Sequence, residues 1–296
     1  MLSPRAAPTP HRRRTVITLV ACGLALAVVG VVWMLSNQAS HSRLSEPAWP
    51  TTGTSALSIG TTTVGSPGSD EARPIASLTK LVTALVALDA APLEPDQSGP
   101  SFLLTDADAG YALAEQARDG SSVAVLPGQV LTERQFLEYV LVASSNNHAT
   151  SLVTHLFGDE QAYLAAARRW LDEHRLSHIQ IADASGMSPD NRASARDLIT
   201  LGRLAAATPA IAELAARPMT ISPIGEPLPN TNDLLGTLGI TGLKTGHTTE
   251  AGYTALFTAP VGGEQLIGVV LGAPSDTQRT TDVTRLIAHV RAQRAG

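Results

Sequence analysis

Cysteine occurs once in this chain of 296 residues. That excludes an intrachain disulfide framework and any cysteine-rich zinc or iron–sulfur site. Lysine is nearly as scarce: of 21 basic side chains only Lys80 and Lys244 are Lys, and the rest are Arg. On a surface Arg replaces Lys at little cost, but only Lys can lose its proton near neutral pH when desolvated. A chain that has all but eliminated Lys directs attention to the two it keeps. Charged residues are few, at 16% against 44% apolar, which sets aside wholesale disorder and coiled coil. Positive charge is lacking over most of the chain. Residues 1–50 hold five Arg and one Glu, so the remainder carries a net charge of −9. A unit so acidic does not suit a phosphate backbone, and nucleic acid is excluded as a partner.

The amino-terminal stretch is of a different kind. A basic tail, residues 1–14, ends in Arg12-Arg13-Arg14, and twenty-one residues without charge follow, from Thr15 to Leu35. At about 1.5 Å per residue that run spans the hydrocarbon core of a bilayer, and the Arg cluster keeps its own side cytoplasmic. The expectation is a single-pass membrane anchor with everything after Leu35 outside. A cleaved signal peptide is the competing reading, but its apolar region is shorter. Leu19-Val20-Ala21-Cys22 is like a lipoprotein processing site, yet the apolar run continues beyond Cys22, which favours a small residue within a membrane helix. Residues 36–50 turn polar and read as a linker.

Residues 51–296 read as one catalytic-sized unit. Ser55–Gly60 and Thr61–Gly65 are short Thr- and Gly-rich stretches that suit paired edge strands. Arg73-Pro74 precedes a helix carrying the apolar run Leu78–Ala90, and Ser77 stands where an N-cap is expected. Three prolines mark 92–100 as a loop. Thr132–Ala143 is a helix capped by Thr132, with Phe136, Leu137, Val140 and Leu141 on one stripe. Gln161–Arg175 and Arg196–Ala207 share the 3.6-residue period. Gly252–Thr258 and Gln265–Leu271 read as strands about a Pro-Val-Gly-Gly turn, and Thr280–Arg294 closes as a helix. Strands at both ends with helices between them give an α+β fold whose antiparallel sheet joins the two termini.

Ser77-Leu78-Thr79-Lys80 opens the first of these helices. A capping box asks for Glu or Gln three residues after the cap, and a cation in the first turn opposes the helix dipole. Lys80 therefore sits where it costs stability, one turn from Ser77 on the same face. Chemistry gives it a reason: an ammonium desolvated near a helix N-terminus has a depressed pKa and can activate a serine nucleophile. Lys244-Thr245-Gly246-His247-Thr248 precedes the strand region, where Lys and Thr on an edge strand, with a side-chain-free Gly, suit close binding of a carboxylate. Ser144-Ser145-Asn146 follows the Thr132–Ala143 helix and alone is ordinary turn chemistry.

Taken in order, Ser-x-x-Lys, Ser-x-Asn and Lys-Thr-Gly are the three motifs of penicillin-binding proteins and serine β-lactamases. The surrounding residues resemble the low-molecular-mass D-alanyl-D-alanine carboxypeptidases: Pro74–Ala84 almost residue for residue, then Ser194–Leu198, Gly242–Thr248 and Val269–Pro274. The resemblance covers residues 50–295. It implies a β-lactamase/transpeptidase-like fold, a two-step acyl transfer, no cofactor and no metal. Ser77 would attack the penultimate D-alanine carbonyl, Lys80 would take its proton, and Ser144 would relay a proton to the departing D-alanine. Asn146 would hold the substrate amide and orient Lys80. Lys244 and Thr245, helped by Thr248, would receive the terminal carboxylate, and the backbone N–H groups of Ser77 and His247 would form the oxyanion hole beside Gly246. The implied partners are a peptidoglycan stem peptide ending in D-Ala-D-Ala, and β-lactams as covalent inhibitors.

The chain departs from the family pattern at Asn147, where Asp is frequent, at His148, where a small residue is usual, and at Ser185-Gly186-Met187, where His-Gly-Leu is more typical. A β-lactamase shares all three motifs and stays open as a reading. The nearest match to its extra Glu-x-x-Leu-Asn element is Glu173-His174-Arg175-Leu176-Ser177, which lacks the Asn and falls at a helix end. His174 and His178, four apart, lack a third metal ligand at suitable spacing. The same motifs would also serve a D,D-endopeptidase or a catalytically silent peptidoglycan-binding protein. Intact Ser77, Lys80 and Lys244 argue against the silent one.

Overall fold

A computed structural model describes residues 44–295 except residue 95. The anticipated anchor at 15–35, with Cys22, lies outside the described residues. Among the described residues no single helix is long and apolar enough to cross a membrane.

The sheet joins the two ends of the chain. Its strands are β1 (Thr54–Ile59), β2 (Thr62–Gly65), β3 (Gly242–Thr248), β4 (Gly252–Val261) and β5 (Glu264–Ala273), in the spatial order β3-β4-β5-β1-β2. Every pairing in it is antiparallel, with Thr54 opposite Leu271 and Lys244 opposite Leu256. The anticipated strands at 252–258 and 265–271 extend further, to ten residues each. Gly262 and Gly263 both take positive φ, which lets a two-residue turn join them.

Successive side chains on these strands enter different cores, as the two-residue period requires. Leu266 and Val270 point into one with Leu57, Ile59 and Phe257; Ile267, Val269 and Leu271 point into the other. The first core is closed by the carboxyl-terminal helix Asp276–Ala295 through Val283, Leu286, Ile287 and Val290. The second is closed by Ala195–Ala207 through Leu198, Ile199 and Leu201. Leu44 is buried and Trp49 half-buried in the first core, so the packed unit begins at Leu44, inside the 36–50 stretch that reads as a linker.

The helical region begins with α1 (Thr79–Ala90), apolar nearly all round and buried from Thr79 to Leu88. Around it lie α2 (Asp106–Gln116), α3 (Glu133–Leu141), α4 (Asn146–Phe157) and α5 (Glu160–Glu173). Thr132 caps α3 as expected, accepting from the Gln135 N–H while Gln135 reaches back. Two expectations differ from the structure. Ser77 does not cap α1: a 3-10 turn over Ala76–Leu78 precedes the helix, and the Ser77 hydroxyl turns to Lys80 instead. The helix expected over Thr132–Ala143 ends at Leu141 with Val142 as its cap, and the Ser144–Asn146 run instead starts α4, whose cap is Ser145, bonded by the His148 N–H. Polar residues that stop one helix are the same types that start the next, so the sequence alone does not separate the two roles.

Glu133 lies at the first position of α3, where the helix dipole favours an acid, yet it is fully buried and neither carboxylate oxygen has a partner among the described residues. Burial raises its pKa to about 7. Because the folded value lies above the unfolded one, the stability it contributes is fully present below about pH 4.5 and is lost as pH rises through about 7. Glu133→Gln is expected to raise the melting temperature at pH 8 by a few degrees and to change it little at pH 5, as read by thermal melts at the two pH values.

Candidate active site

Two residues of the site segments take a left-handed backbone. Ala76, immediately before Ser77, takes φ +48°, and Ser144 takes φ +56°. Non-glycine residues in this region carry strain of about 1–3 kcal/mol each and persist where surrounding structure over-determines them. Around Ser77 the surroundings are two glycines. A Cβ on Gly246 would stand 2.7 Å from the Ser77 nitrogen, and one on Gly186 would stand 2.1 Å from the Ala76 oxygen. Any larger residue at either position would collide with the backbone that carries Ser77. β3 is thus an edge strand laid directly against the Ala76–Leu78 turn, with Gly246 at the contact.

Lys80 is fully buried. Its Nζ lies 2.8 Å from Ser77 Oγ, 2.7 Å from Asn146 Oδ1 and 2.6 Å from the Ser185 carbonyl oxygen. Desolvation lowers its pKa to about 7, against the smaller raising effects of the Asp183 and Glu115 charges. The amide and carbonyl oxygens can only accept, so they take two N–H groups whatever the protonation state. In the neutral amine the remaining direction, toward Ser77 Oγ, is the lone pair.

Asp183 builds the loop that supplies the Ser185 carbonyl. Its carboxylate accepts from the backbone N–H groups of Ser185, Gly186 and Ser188 at 2.6–2.7 Å and from Asn191 Nδ2 at 3.0 Å. Burial alone would raise its pKa, but these bonds outweigh it and hold the carboxyl below its usual range. Thr83, one turn after Lys80 on α1, donates to the Ala184 carbonyl and meets the Tyr163 hydroxyl at 2.9 Å. The segment carrying Ser185-Gly186-Met187 is therefore fastened to α1 at two successive carbonyls.

Lys244, on β3, is also fully buried. It donates to Thr231 Oγ1 at 2.9 Å and to the Thr245 carbonyl at 3.0 Å, and Thr245 Oγ1 donates to the Thr231 carbonyl at 3.0 Å. Among the described residues no carboxylate bonds it. Desolvation first, then the Lys80 and Arg279 charges, holds its pKa well below the usual lysine value. A buried cation pressed by other cations gains most from an incoming anion.

The structure therefore gathers Ser77, Lys80 and Asn146 into one hydrogen-bonded group and Lys244 and Thr245 into a second, on a strand in contact with the first through Gly246. Ser144 is buried at the turn into α4, and its hydroxyl makes no hydrogen bond to Ser77, Lys80 or Lys244. His247 is exposed and stacks on Tyr253 at 4.0 Å between centroids. The Thr248 hydroxyl accepts from the Ala251 N–H and so holds the turn after β3. Asn147 and His148, the departures after the second motif, point away into a buried polar knot: Ser145 Oγ bonds Asn147 Oδ1 at 2.7 Å and meets His148 Nδ1 at 2.9 Å, and burial lowers the His148 pKa to about 4.

Glu173 is exposed at the end of α5, and the carboxylates that act on Lys80 are Asp183 and Glu115 instead. His174 Nδ1 bonds the Trp170 carbonyl, and His178 pairs with Asp197 at 3.5 Å. Sequence reasoning missed Thr231, Asp183 and Glu115. Thr231 sits in an Asn-Thr-Asn run that reads as plain turn chemistry, neither Thr231 nor Glu115 stands within ten residues of the motif it serves, and Asp183 acts through backbone N–H groups.

A family profile described as D-alanyl-D-alanine carboxypeptidase matches residues 63–275. The D-alanyl-D-alanine carboxypeptidase DacC of Escherichia coli (strain K12) is 29% identical over 227 residues, covering 74% of this chain and 55% of that protein. The chain spans about half the length of several curated relatives it matches. The Streptomyces K15 DD-transpeptidase superposes with a TM-score of 0.74 at 23% identity over 84% of this chain and 100% of its own, a likeness of fold. Penicillin-Binding Protein D2 of Listeria monocytogenes, in its cefotaxime-bound form, gives 0.68 at 26% identity over 83% of this chain and 99% of its own. The profile runs from the second strand of the sheet past the end of the last and takes in both lysines with their partners; the chain belongs to the D-alanyl-D-alanine carboxypeptidase family.

Proposed function

We propose that this chain is a serine D-alanyl-D-alanine carboxypeptidase that trims peptidoglycan stem peptides outside the cytoplasmic membrane. One observation carries the reading: a fully buried lysine, its pKa about 7, with two N–H groups held by obligate acceptors and its third direction 2.8 Å from the Ser77 hydroxyl oxygen. The neutral amine takes the Ser77 proton as Oγ attacks the carbonyl of the penultimate D-alanine. The N–H groups of Ser77 and His247 receive the developing oxyanion. Ser144 relays the proton gained by Lys80 to the nitrogen of the departing D-alanine, and water then hydrolyses the Ser77 ester to release the shortened peptide.

Lys244 and Thr245 receive the terminal carboxylate, which supplies the counter-charge that the buried Lys244 ammonium otherwise goes without. A β-lactam presents its carboxylate to Lys244 and Thr245 and its strained carbonyl to Ser77, and the likeness to a penicillin-binding protein solved with cefotaxime supports that ligand class. The uncharged run Thr15–Leu35 behind Arg12-Arg13-Arg14 supports membrane anchoring, with the catalytic unit on the outer side.

Ser77→Ala is expected to abolish both D-alanine release from a pentapeptide and labelling by a β-lactam while the circular dichroism melt stays near wild type. Retained turnover in that variant would overturn the mechanism. Because Lys80 must be neutral to act as base, the acylation rate constant with benzylpenicillin should rise with pH through a midpoint near 7 and fall roughly tenfold per unit on the acid side. A profile flat across that range would remove Lys80 from the role of base. Thr231→Val is expected to weaken apparent affinity for the carboxylate-bearing peptide by about tenfold, with a smaller change in kcat, because it removes a partner of Lys244 and leaves Lys80 untouched.

A further inference from the structure

Asn146 has two ends with opposite chemistry. Its Oδ1 accepts from Lys80 Nζ at 2.7 Å, and its Nδ2 donates to Glu115 Oε2 at 2.8 Å. Glu115 lies in the last turn of α2, thirty-one residues before Asn146, and is almost fully buried. Its carboxylate is gripped from outside by Arg118, whose Nε donates to Oε2 at 3.1 Å and whose terminal nitrogen bonds Oε1. The contact is enclosed by backbone. A Cβ on Gly120 would fall 2.1 Å from Glu115 Oε2 and 3.0 Å from Asn146 Nδ2, and the Asn146 N–H donates to the Ser121 carbonyl at 2.8 Å.

An amide can flip end for end at almost no steric cost. An ionised carboxylate cannot donate, so Nδ2 is forced to face Glu115, and Oδ1 is thereby forced to face Lys80. Without that constraint the flipped amide would aim N–H donors at the lysine, and the neutral amine would have its lone pair drawn to Asn146 rather than to Ser77. One N–H of Nδ2 is committed to Glu115, which leaves the other for a substrate carbonyl.

We propose that Glu115 is a positioning residue for the acyl transfer, fixing the amide of Asn146 so that Lys80 keeps its lone pair on Ser77. This role rests on the function proposed above. The charges around the pair come from several elements. Asp183 from the Ser185 loop and Glu115 from α2 raise the Lys80 pKa, Lys80 and Lys244 repel, Arg118 offsets Glu115, and Asp183 and Glu160 in turn act on Arg118. Removing the Glu115 charge therefore moves the protonation of Lys80 to lower pH, and removing Arg118 moves it to higher pH.

The test is the pH dependence of acylation by benzylpenicillin, measured on the full-length wild type, Glu115→Gln and Arg118→Ala, with melts to verify folding. Glu115→Gln should lower the plateau acylation rate about tenfold and shift the acid limb down by about one pH unit. Arg118→Ala, whose side chain is half exposed, should shift it up by a smaller amount, so the inference stays testable if Glu115→Gln does not fold. Limbs that coincide in every folded variant would overturn the positioning role. A wild type that is never acylated would instead overturn the proposed function.

Discussion

Everything in the centre of this protein is arranged around an amine that water cannot reach. Lys80 gives up its hydration for Asn146, Ser185 and Ser77, and each partner commits a different part of the chain. Asn146 brings the start of α4, and Ser185 brings a loop that Asp183 knots together by bonding its backbone N–H groups. Ser77 brings the turn that α1 and β3 hold between them. Leaving such a group without partners would cost several kcal/mol, so these segments are held together by the lysine as much as they hold it.

The two lysines are equally buried and electrostatically opposite. Lys80 has Asp183 and Glu115 near it, which oppose the desolvation and leave its pKa at about 7. Lys244 has Lys80 and Arg279 near it and, among the described residues, bonds a hydroxyl and a carbonyl but no carboxylate. On the proposed function the first exchanges a proton and the second accepts an anion. β3 makes this division possible, because an edge strand carries Lys244 on its own length and lets Gly246 touch the backbone of Ser77.

The fold and the motif residues are legible where the chemistry is local or periodic. The strands at both ends follow from their turns and composition, and the α3 cap follows from Thr132 and Gln135. Lys80 stands out because a cation in the first turn of a helix has no local justification, and the structure supplies a non-local one. What the sequence does not reveal comes from far along the chain. Glu115 reaches Asn146 from α2, Thr231 reaches Lys244 from a turn before β3, and Asp183 acts through backbone groups that carry no sequence signature. Ser77 reads as a cap because a hydroxyl bonded to a side chain and one bonded to a backbone N–H have the same letter.

On the proposed function Ser77, activated by Lys80, forms an acyl-enzyme that is specific for a D-Ala-D-Ala-like ligand. The most direct measurement is the intact mass of the protein over time after mixing with benzylpenicillin. A single adduct on Ser77 that persists for many minutes is the result expected of the proposed carboxypeptidase. An adduct that vanishes within seconds as the drug is consumed would contradict it and mark the chain as a β-lactamase.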